Sequence, residues 1–449
     1  MTAEARTSTR FRSPGWALAV LAAISTCGFI DRIIMQVLVE PIKIEFDLSD
    51  TQIGLVTGLA FAVLNVGLGL WVARIAERRR RVTLVWIGTL LWSAATALCG
   101  AAGNFMQLVC ARIGVGVGEA IGLPSTSSIV SDLYPREKRT TAMAVLMLAP
   151  PLGAFLGSAA GATIAQAYGW RAAFWVAAAP GVVLALLLAF TVTEPPRGRF
   201  DKMHGDVDRV PPFSEVLGRM WGLRSLRHMI LGSMTASLAG FGVNVFLAAF
   251  LLRRFGFTVG EAGLIAGLIA SLPASVSVFG AGWLADRLGA KSPASYGLVP
   301  AIGLIAAAPV YMLAVTRETA GPAIALLIVA AFLQYCYLAP SAGVVQNMMH
   351  PRMRASAAAV TSLITSLISA SLGPLIVGAL SDTFSAAFPL AAPGYALSTA
   401  LATTATAYAW AAVHYAIASR HLPAEFNHAS PGEVTAKEPI ELNTARHDI

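Results

Sequence analysis

The stretch Cys110-Ala-Arg-Ile-Gly-Val-Gly-Val-Gly-Glu-Ala-Ile121 decides how the rest of the chain is read. It lies inside an apolar run long enough to cross a bilayer as a helix, which takes about 20 residues. Arg112 and Glu119 share a face of that helix, two turns and roughly 10.5 Å apart. Gly114, Gly116 and Gly118 strip side chains from the helix between them, so another backbone or a cargo can come close. A charged side chain at the centre of a spanning helix costs about 3 kcal/mol and normally marks a path for ions or substrate.

Composition agrees with a membrane reading. Of 449 residues, 56% are hydrophobic and 12% charged, against roughly 25% charged in soluble domains. Apolar runs from 15–38 to 395–418 predict an all-α integral membrane protein with twelve transmembrane helices. They group into an N-terminal six-helix bundle, 15–193, and a C-terminal one, 228–418. A polar arm, 1–14, precedes them, a polar segment, 194–227, joins them, and 419–449 reads as a disordered tail. With the N-terminus inside, 25 basic residues fall in inner segments, 5 in outer loops (Lys43, Arg171, Arg253, Arg254 and Arg317) and 2 in the membrane. That asymmetry predicts that both termini are cytoplasmic. It also assigns the net charge of +8 to loops facing anionic membrane lipids, not to nucleic acid. Cys27, Cys99, Cys110 and Cys336 all sit in apolar runs without metal-ligand spacing, so no metal site is expected. The first apolar run is too long for the core of a signal peptide and is expected to remain as a helix.

The chain repeats itself. Shifted by 209 residues, Gly54-Leu55 meets Gly263-Leu264 and Gly58-Leu59 meets Gly267-Leu268. Ala73-Arg-Ile-Ala-Glu77-Arg78 meets Gly282-Trp-Leu-Ala-Asp286-Arg287. Two parallel repeats place a site at their pseudo-twofold interface and suit alternating access by rocking.

The repeated acidic-Arg element, clearest in Gly282-Trp-Leu-Ala-Asp286-Arg287-Leu-Gly289-Ala-Lys291, resembles the signature loop of the major facilitator superfamily. Arg112-x-x-x-Gly116-x-Gly118-x-Ala120 is similar to that superfamily's fourth-helix motif. Phe29-Ile-Asp31-Arg32, Leu48-Ser-Asp-Thr-Gln-Ile-Gly54, Gly118-Glu119-Ala, Ser131-Asp-Leu-Tyr-Pro-Arg-Glu-Lys-Arg139 and Glu194-Pro-Pro-Arg-Gly resemble the spinster-like branch. The chain departs from that pattern at Gly28-Phe29, where Asn-Tyr is common, and at Asn65, where an aromatic is common. The first signature loop also departs, with Glu77 for Asp and Arg80 for Gly. The resemblance implies a bacterial homologue of sphingolipid and lysolipid transporters, with coupling roles for an acidic residue in helix one and for Arg and Glu in helix four.

Those positions are Asp31, Arg112 and Glu119. Asp31 and Arg112 lie at similar depth, roughly 10 Å from the outer surface, so an Asp31–Arg112 ion pair is expected, with Glu119 deeper and less neutralised. A carboxyl at that depth is pulled two ways: burial favours its protonated form and an arginine its charged form. A structural network that only fixes helices one and four is the alternative. Arg32 points about 100° away from Asp31 and either snorkels outward or pairs with Glu40 or Asp47. Arg74, Glu77 and Arg78 with Asp132, and Asp286 with Arg287, are expected to latch the cytoplasmic face. Arg79–Arg81 read as topogenic charges. Cavity-lining candidates are Arg32, Asn65, Phe241, Asn244, Gln334, Tyr335, Tyr337, Ser362, Thr365, Ser366 and Ser369. His414 reads as a packed core histidine.

No phosphate-binding loop or histidine cluster is present in the sequence, so an enzyme is not expected, and no cofactor beyond a proton gradient as driving force. A charged wall opposite an apolar-aromatic one suits an amphiphile. The expectation is a monomeric, proton-coupled secondary transporter of a lipid-like molecule in a bacterial inner membrane. A carboxylate symporter in which Arg112 or Arg32 clamps an organic anion and a non-transporting ligand sensor remain as alternatives.

Overall fold

The computed structural model describes residues 13–60, 80–196, 213–349 and 353–428. All regular structure in them is helical. The N-terminal half contributes α1 (Pro14–Val37), α2 (Val39–Phe46), α3 (Asp50–Gly54), α4 (Arg81–Ala101), α5 (Phe105–Leu133), α6 (Arg136–Leu146), α7 (Ala149–Tyr168) and α8 (Trp170–Thr191). The C-terminal half contributes α9 (Phe213–Gly222), α10 (Arg224–Phe255), α11 (Val259–Gly289), α12 (Ser295–Val315), α13 (Ala320–Gln334), α14 (Leu338–Met348), α15 (Arg354–Ala387) and α16 (Tyr395–His428). A π-helical turn, Leu55–Leu59, continues α3, and a 3-10 turn, Tyr335–Tyr337, joins α13 to α14.

Among the described residues, ten helices are long and apolar enough to cross a membrane. Their outward surfaces carry large apolar side chains, including Leu98, Phe190, Phe279 and Ile302. Apolar exposure on this scale is a liability in water and the expected surface in lipid, where helices satisfy their own backbone groups. Of the predicted second span, 51–73, only the part up to residue 60 is described.

In the N-terminal half α4 packs along α5 and α8, and α1 along α7 and α8. In the C-terminal half α10 packs on α15 and α16, and α12 on α13 and α16. The halves meet where α7 crosses α11 and where α3 and its π turn cross α15. The repeat glycines sit in these two seams. A Cβ on Gly58 would lie 2.6 Å from the Ala370 carbonyl oxygen of α15. A Cβ on Gly267 would lie 2.7 Å from the Ser158 Cβ of α7. Lipid tails give helices no hydrophobic drive to associate, so close backbone approach at small residues supplies the packing instead. The sequence repeat therefore marks a repeated contact.

Three helix starts are tied down by carboxylates from distant parts of the chain. Glu194 accepts from the Val82 amide of α4 at 2.8 Å. Asp382 of α15 accepts from the Asp50 and Thr51 amides of α3 at 2.9 and 2.8 Å. Glu425 of α16 accepts from the Arg224 and Ser225 amides of α10 at 2.9 and 3.0 Å. Each anion satisfies open amides and complements the helix dipole. The last contact alters one expectation. Residues 419–428, read from their polarity as the start of a disordered tail, continue α16, because Glu425 caps α10 and Leu422 is fully buried. Likewise α9 forms inside the segment read as an interdomain loop.

Gly267→Val forces side-chain volume into the α7–α11 seam, at a cost of about 1–3 kcal/mol. Spin labels on the exposed faces of these two helices are expected to report a new, longer-distance population. Unchanged distances would contradict the assignment of Gly267 to a close seam.

Candidate transport site

The helix-one and helix-four charges come together. Asp31 and Arg32 on α1 face Arg112 and Glu119 on α5, and Asp31, Arg112 and Glu119 are each 1% exposed. Arg32 Nη2 donates to Glu119 Oε2 in an ion pair. Arg112 Nη1 donates to the Asp31 carbonyl oxygen at 3.4 Å. One oxygen of each carboxylate, Asp31 Oδ1 and Glu119 Oε1, is buried without a hydrogen-bond partner among the described residues.

This corrects the pairing expected from depth alone. The ion pair recorded here joins Glu119 to Arg32, not Asp31 to Arg112, and Arg32 turns inward instead of reaching Glu40 or Asp47. Depth places Cα atoms, whereas an arginine carries its charge several ångströms from its own Cα. Arg32 reaches across the α1–α5 contact with its guanidinium 5.2 Å from the Phe29 ring centroid, a favourable cation–π position. The α5 glycines serve a backbone: a Cβ on Gly118 would lie 2.7 Å from Trp92 Cβ, and one on Gly114 3.1 Å from Ala95 Cβ, both on α4.

A second cluster joins the two halves at the end of the bundle where α2 lies. Asp50, 1% exposed, begins α3 beside a capping box formed by Ser49 and Gln52. Arg253 of α10 donates to both Asp50 oxygens at 2.7 and 2.8 Å and to Glu40 at 2.7 Å. Lys43 reaches Asp50 at 2.5 Å and Ser381 donates to it at 2.6 Å. Bidentate Arg–carboxylate geometry of this kind is both strong and directional. Burial alone would push the Asp50 carboxyl up, but hydrogen bonds and charge from Arg253, with Lys43, outweigh it and hold it at about 2. Nearby, Glu45 is held below its ordinary value by hydrogen bonds from Arg171 and Trp170. Lys43, Arg171 and Arg253 are among the few basic residues expected on the basic-poor side. Their rarity there was the available signal, since all three are ion-paired.

At the opposite end, Arg81 makes a third cluster. Its place in the run Arg79–Arg81 suggests a topogenic charge. Instead it is 4% exposed, donating to Asp132 at 2.5 Å, Glu194 at 2.8 Å and the Pro195 carbonyl at 3.0 Å. Asp132 thus has a partner inside its own half. Arg74, Glu77, Arg78 and Asn65 lie outside the described residues. Asp286 accepts from the Tyr296 hydroxyl at 2.9 Å, and Arg287 lies 5.2 Å from the Trp283 ring centroid, so both contacts stay within the C-terminal half.

The predicted cavity residues divide. Gln334 is 2% exposed and accepts from Tyr311 at 2.8 Å and from Tyr408, which makes it a clamp inside the C-terminal half. Ser369 is fully buried and donates to the Met234 carbonyl at 3.1 Å. Neither is among the residues lining the cavity described below, and at both positions the polar group ties helices together. Asn244 donates to the Tyr335 hydroxyl at 2.9 Å, and Phe241 is half-buried on the same helix. Tyr337 and Thr365 do line a cavity, of about 190 Å³, together with Ser233, Ser237 and Ser341. The Ser362 and Ser366 side chains lie outside those described. His414, expected in the core, is half-buried with its Nδ1 2.9 Å from that of His228.

This architecture, two helical halves with a buried charge cluster and a polar cavity, is that of a multi-pass membrane transporter. Residues 20–374 match the Major Facilitator Superfamily, and the chain belongs to that superfamily. Within it the chain is a spinster-like transporter. It is 32% identical over 372 residues to an MFS-type efflux pump of Mycolicibacterium smegmatis, covering 82% of this chain and 85% of that one. It is 27% identical over 408 residues to protein spinster homolog 1 of Homo sapiens, covering 84% and 75%. A crystal structure of a bacterial homolog to the human lysosomal transporter spinster, inward-facing and unoccupied, superposes with a TM-score of 0.84 at 28% identity, covering 93% of this chain and 99% of that one.

The depressed Asp50 carboxyl sets a pH dependence. Its contribution is complete above the ordinary Asp range near ~4 and is lost only as pH falls through about 2. Contacts at the α2 end are therefore expected to hold between about pH 7 and about pH 5. Arg253→Ala, which strands a buried carboxylate at a cost of about 3–5 kcal/mol, is expected to open them. Spin-label distances across α3 and α15 check both statements, and opening of the wild type between those pH values would contradict the first.

Proposed function

We propose that this chain is a proton-coupled secondary transporter of an amphiphilic, lipid-like organic molecule, of the lysophospholipid or sphingoid type, working by alternating access. The observation that carries the proposal is the α1–α5 cluster, in which Asp31 and Glu119 each bury an oxygen without a hydrogen-bond partner among the described residues. An ionised oxygen left that way is costly, and a proton on it removes the cost. Protonation of Glu119 releases its ion pair with Arg32, whose side chain is 27% exposed and can then meet an anionic head group. Loss of the proton restores the Arg32–Glu119 pair and expels that group. Asp31 and Arg112 complete the coupling set by holding α1 against α5.

Alternating access needs two states within a few kcal/mol of each other, biased by contacts that differ between them. The Asp50 hub with the glycine seams is one latch. The sequence motif residues Arg74, Glu77, Arg78, Asp132, Asp286 and Arg287 are the candidates for the other. The basic-residue asymmetry supports twelve spanning helices with both termini cytoplasmic, which puts the α2 end outside, in a bacterial inner membrane. The efflux-pump and spinster relatives support a transport role. The charged α1–α5 wall and the largely apolar C-terminal half support an amphiphilic cargo. A symporter of a small carboxylate is the second reading, favoured by the accessible Arg32 guanidinium.

Flux into proteoliposomes tests the proposal. A lysophosphatidylethanolamine is expected to accumulate against its gradient when a pH gradient is imposed. Glu119→Gln and Asp31→Asn are expected to abolish that accumulation while leaving exchange intact. Saturable flux that ignores the pH gradient in wild type and variants alike would contradict the proton coupling, and accumulation of short carboxylates alone would favour the second reading.

A further inference from the structure

The second copy of the acidic-Arg element, Gly282-Trp-Leu-Ala-Asp286-Arg287-Leu-Gly289, closes on a glycine at the end of α11. A Cβ on Gly289 would lie 2.6 Å from Tyr296 Cε2 and 2.9 Å from Tyr296 Cζ. Only a residue without a side chain leaves the Tyr296 ring where it is. From that place the Tyr296 hydroxyl donates to Asp286 Oδ1 at 2.9 Å. The glycine of the motif thus serves the aspartate three residues before it, by admitting a ring from the start of α12.

Tyr296 is held from a second side. Its ring stacks on Phe426 of α16, with centroids 5.9 Å apart and planes 10° from parallel, within the offset-stacked range that aromatic pairs favour. Phe426 lies in the last turns of α16, and that stretch is fixed at three further points. A Cβ on Gly297 of α12 would lie 2.8 Å from Ser419 Cα. Leu422 is fully buried. Glu425 accepts from the Arg224 and Ser225 amides of α10 at 2.9 and 3.0 Å and from the Ser225 hydroxyl. Ser419, Leu422 and Phe426 recur at i, i+3 and i+7, which places them on one helix face. The end of α16 is therefore a strut along the start of α12, and the chain of contacts runs Phe426, Tyr296, Asp286.

Asp286 is exposed. Among the described residues the Tyr296 hydroxyl is the one donor to its carboxylate, on Oδ1, which leaves Oδ2 to another partner. A carboxylate at an exposed helix end samples several rotamers, and ordering it on contact costs free energy that pre-orientation removes. Taking Asp286 as one of the latch candidates proposed above, we infer that Tyr296 is a positioning residue for Asp286 and that the end of α16 sets Tyr296 through Phe426. Residues beyond the last apolar run thereby bias closure of the end of the bundle opposite α2.

Spin labels at Lys138 and Gly218, exposed positions at that end of the two halves, read the ratio of closed to open populations in nanodiscs. Tyr296→Phe keeps the ring and removes the hydroxyl. It is expected to lower the closed-to-open ratio by roughly two- to tenfold, the net worth of one hydrogen bond, with thermal unfolding unchanged. Phe426→Ala is expected to move the ratio the same way, and Phe426→Tyr, which keeps a stacking ring, to restore it. In an Asp286→Ala background Tyr296→Phe is expected to change nothing further, because the side chain it positions is gone. An unchanged ratio in Tyr296→Phe where Asp286→Ala alone moves it overturns the inference and leaves the latch reading standing. A Tyr296→Phe shift that persists in the Asp286→Ala background overturns the positioning role. An Asp286→Ala variant with the wild-type ratio overturns the latch reading of Asp286 and the inference with it.

Discussion

A charge inside a bilayer must be answered by another part of the same chain, because no water is there to answer it. The architecture of this protein follows from how that demand is met. Arg32 and Glu119 meet across the α1–α5 contact, Arg112 bonds to the α1 backbone beside Asp31, and the α5 glycines let α4 close in behind. Where helices begin, the open amides are met by carboxylates from elsewhere: Glu194 on α4, Asp382 on α3 and Glu425 on α10. Asp382 does this across the two halves, so its cap also holds the halves together. Stability and conformational state share those atoms.

The α1–α5 cluster and the Asp50 hub divide the work by chemistry. The Asp50 carboxylate accepts from Arg253, Lys43 and Ser381, and it stays ionised far below physiological pH. It is a poor proton sensor and a good latch. Asp31 and Glu119 have fewer partners than oxygens, the condition under which gaining a proton lowers the energy of a buried carboxylate. Protons are therefore proposed to act at the α1–α5 contact, while the α2-end hub responds to movement of the helices that carry it.

Much of this was legible from residue order. The apolar runs, the repeat at 209 residues and the Asp31, Arg112 and Glu119 positions each follow from a one-dimensional pattern. Even the glycine repeat held more than was drawn from it, since Gly58 and Gly267 mark equivalent seams. The pairings were not legible. Helical depth ranks Cα atoms along a membrane normal, but Arg32, Arg81 and Arg253 act at the ends of long side chains whose direction depends on neighbours far away in sequence. Gln334 and Ser369 looked like cavity polarity because a polar residue in an apolar helix has two uses, lining a cavity or tying helices, and spacing does not separate them. The hydroxyl triangle of Ser233, Ser341 and Tyr415 spans three helices and has no linear signature at all.

The proposed cycle turns on a carboxylate at the α1–α5 contact that gains and loses a proton. Infrared difference spectroscopy of reconstituted protein, titrated with pH, reads that event directly as a protonated-carboxyl band. A band is expected that appears as pH falls in wild type, is missing from Glu119→Gln, and is altered in Arg32→Ala, where the partner of Glu119 is gone. A titrating band that is the same in wild type, Glu119→Gln and Asp31→Asn would contradict the proposed cycle.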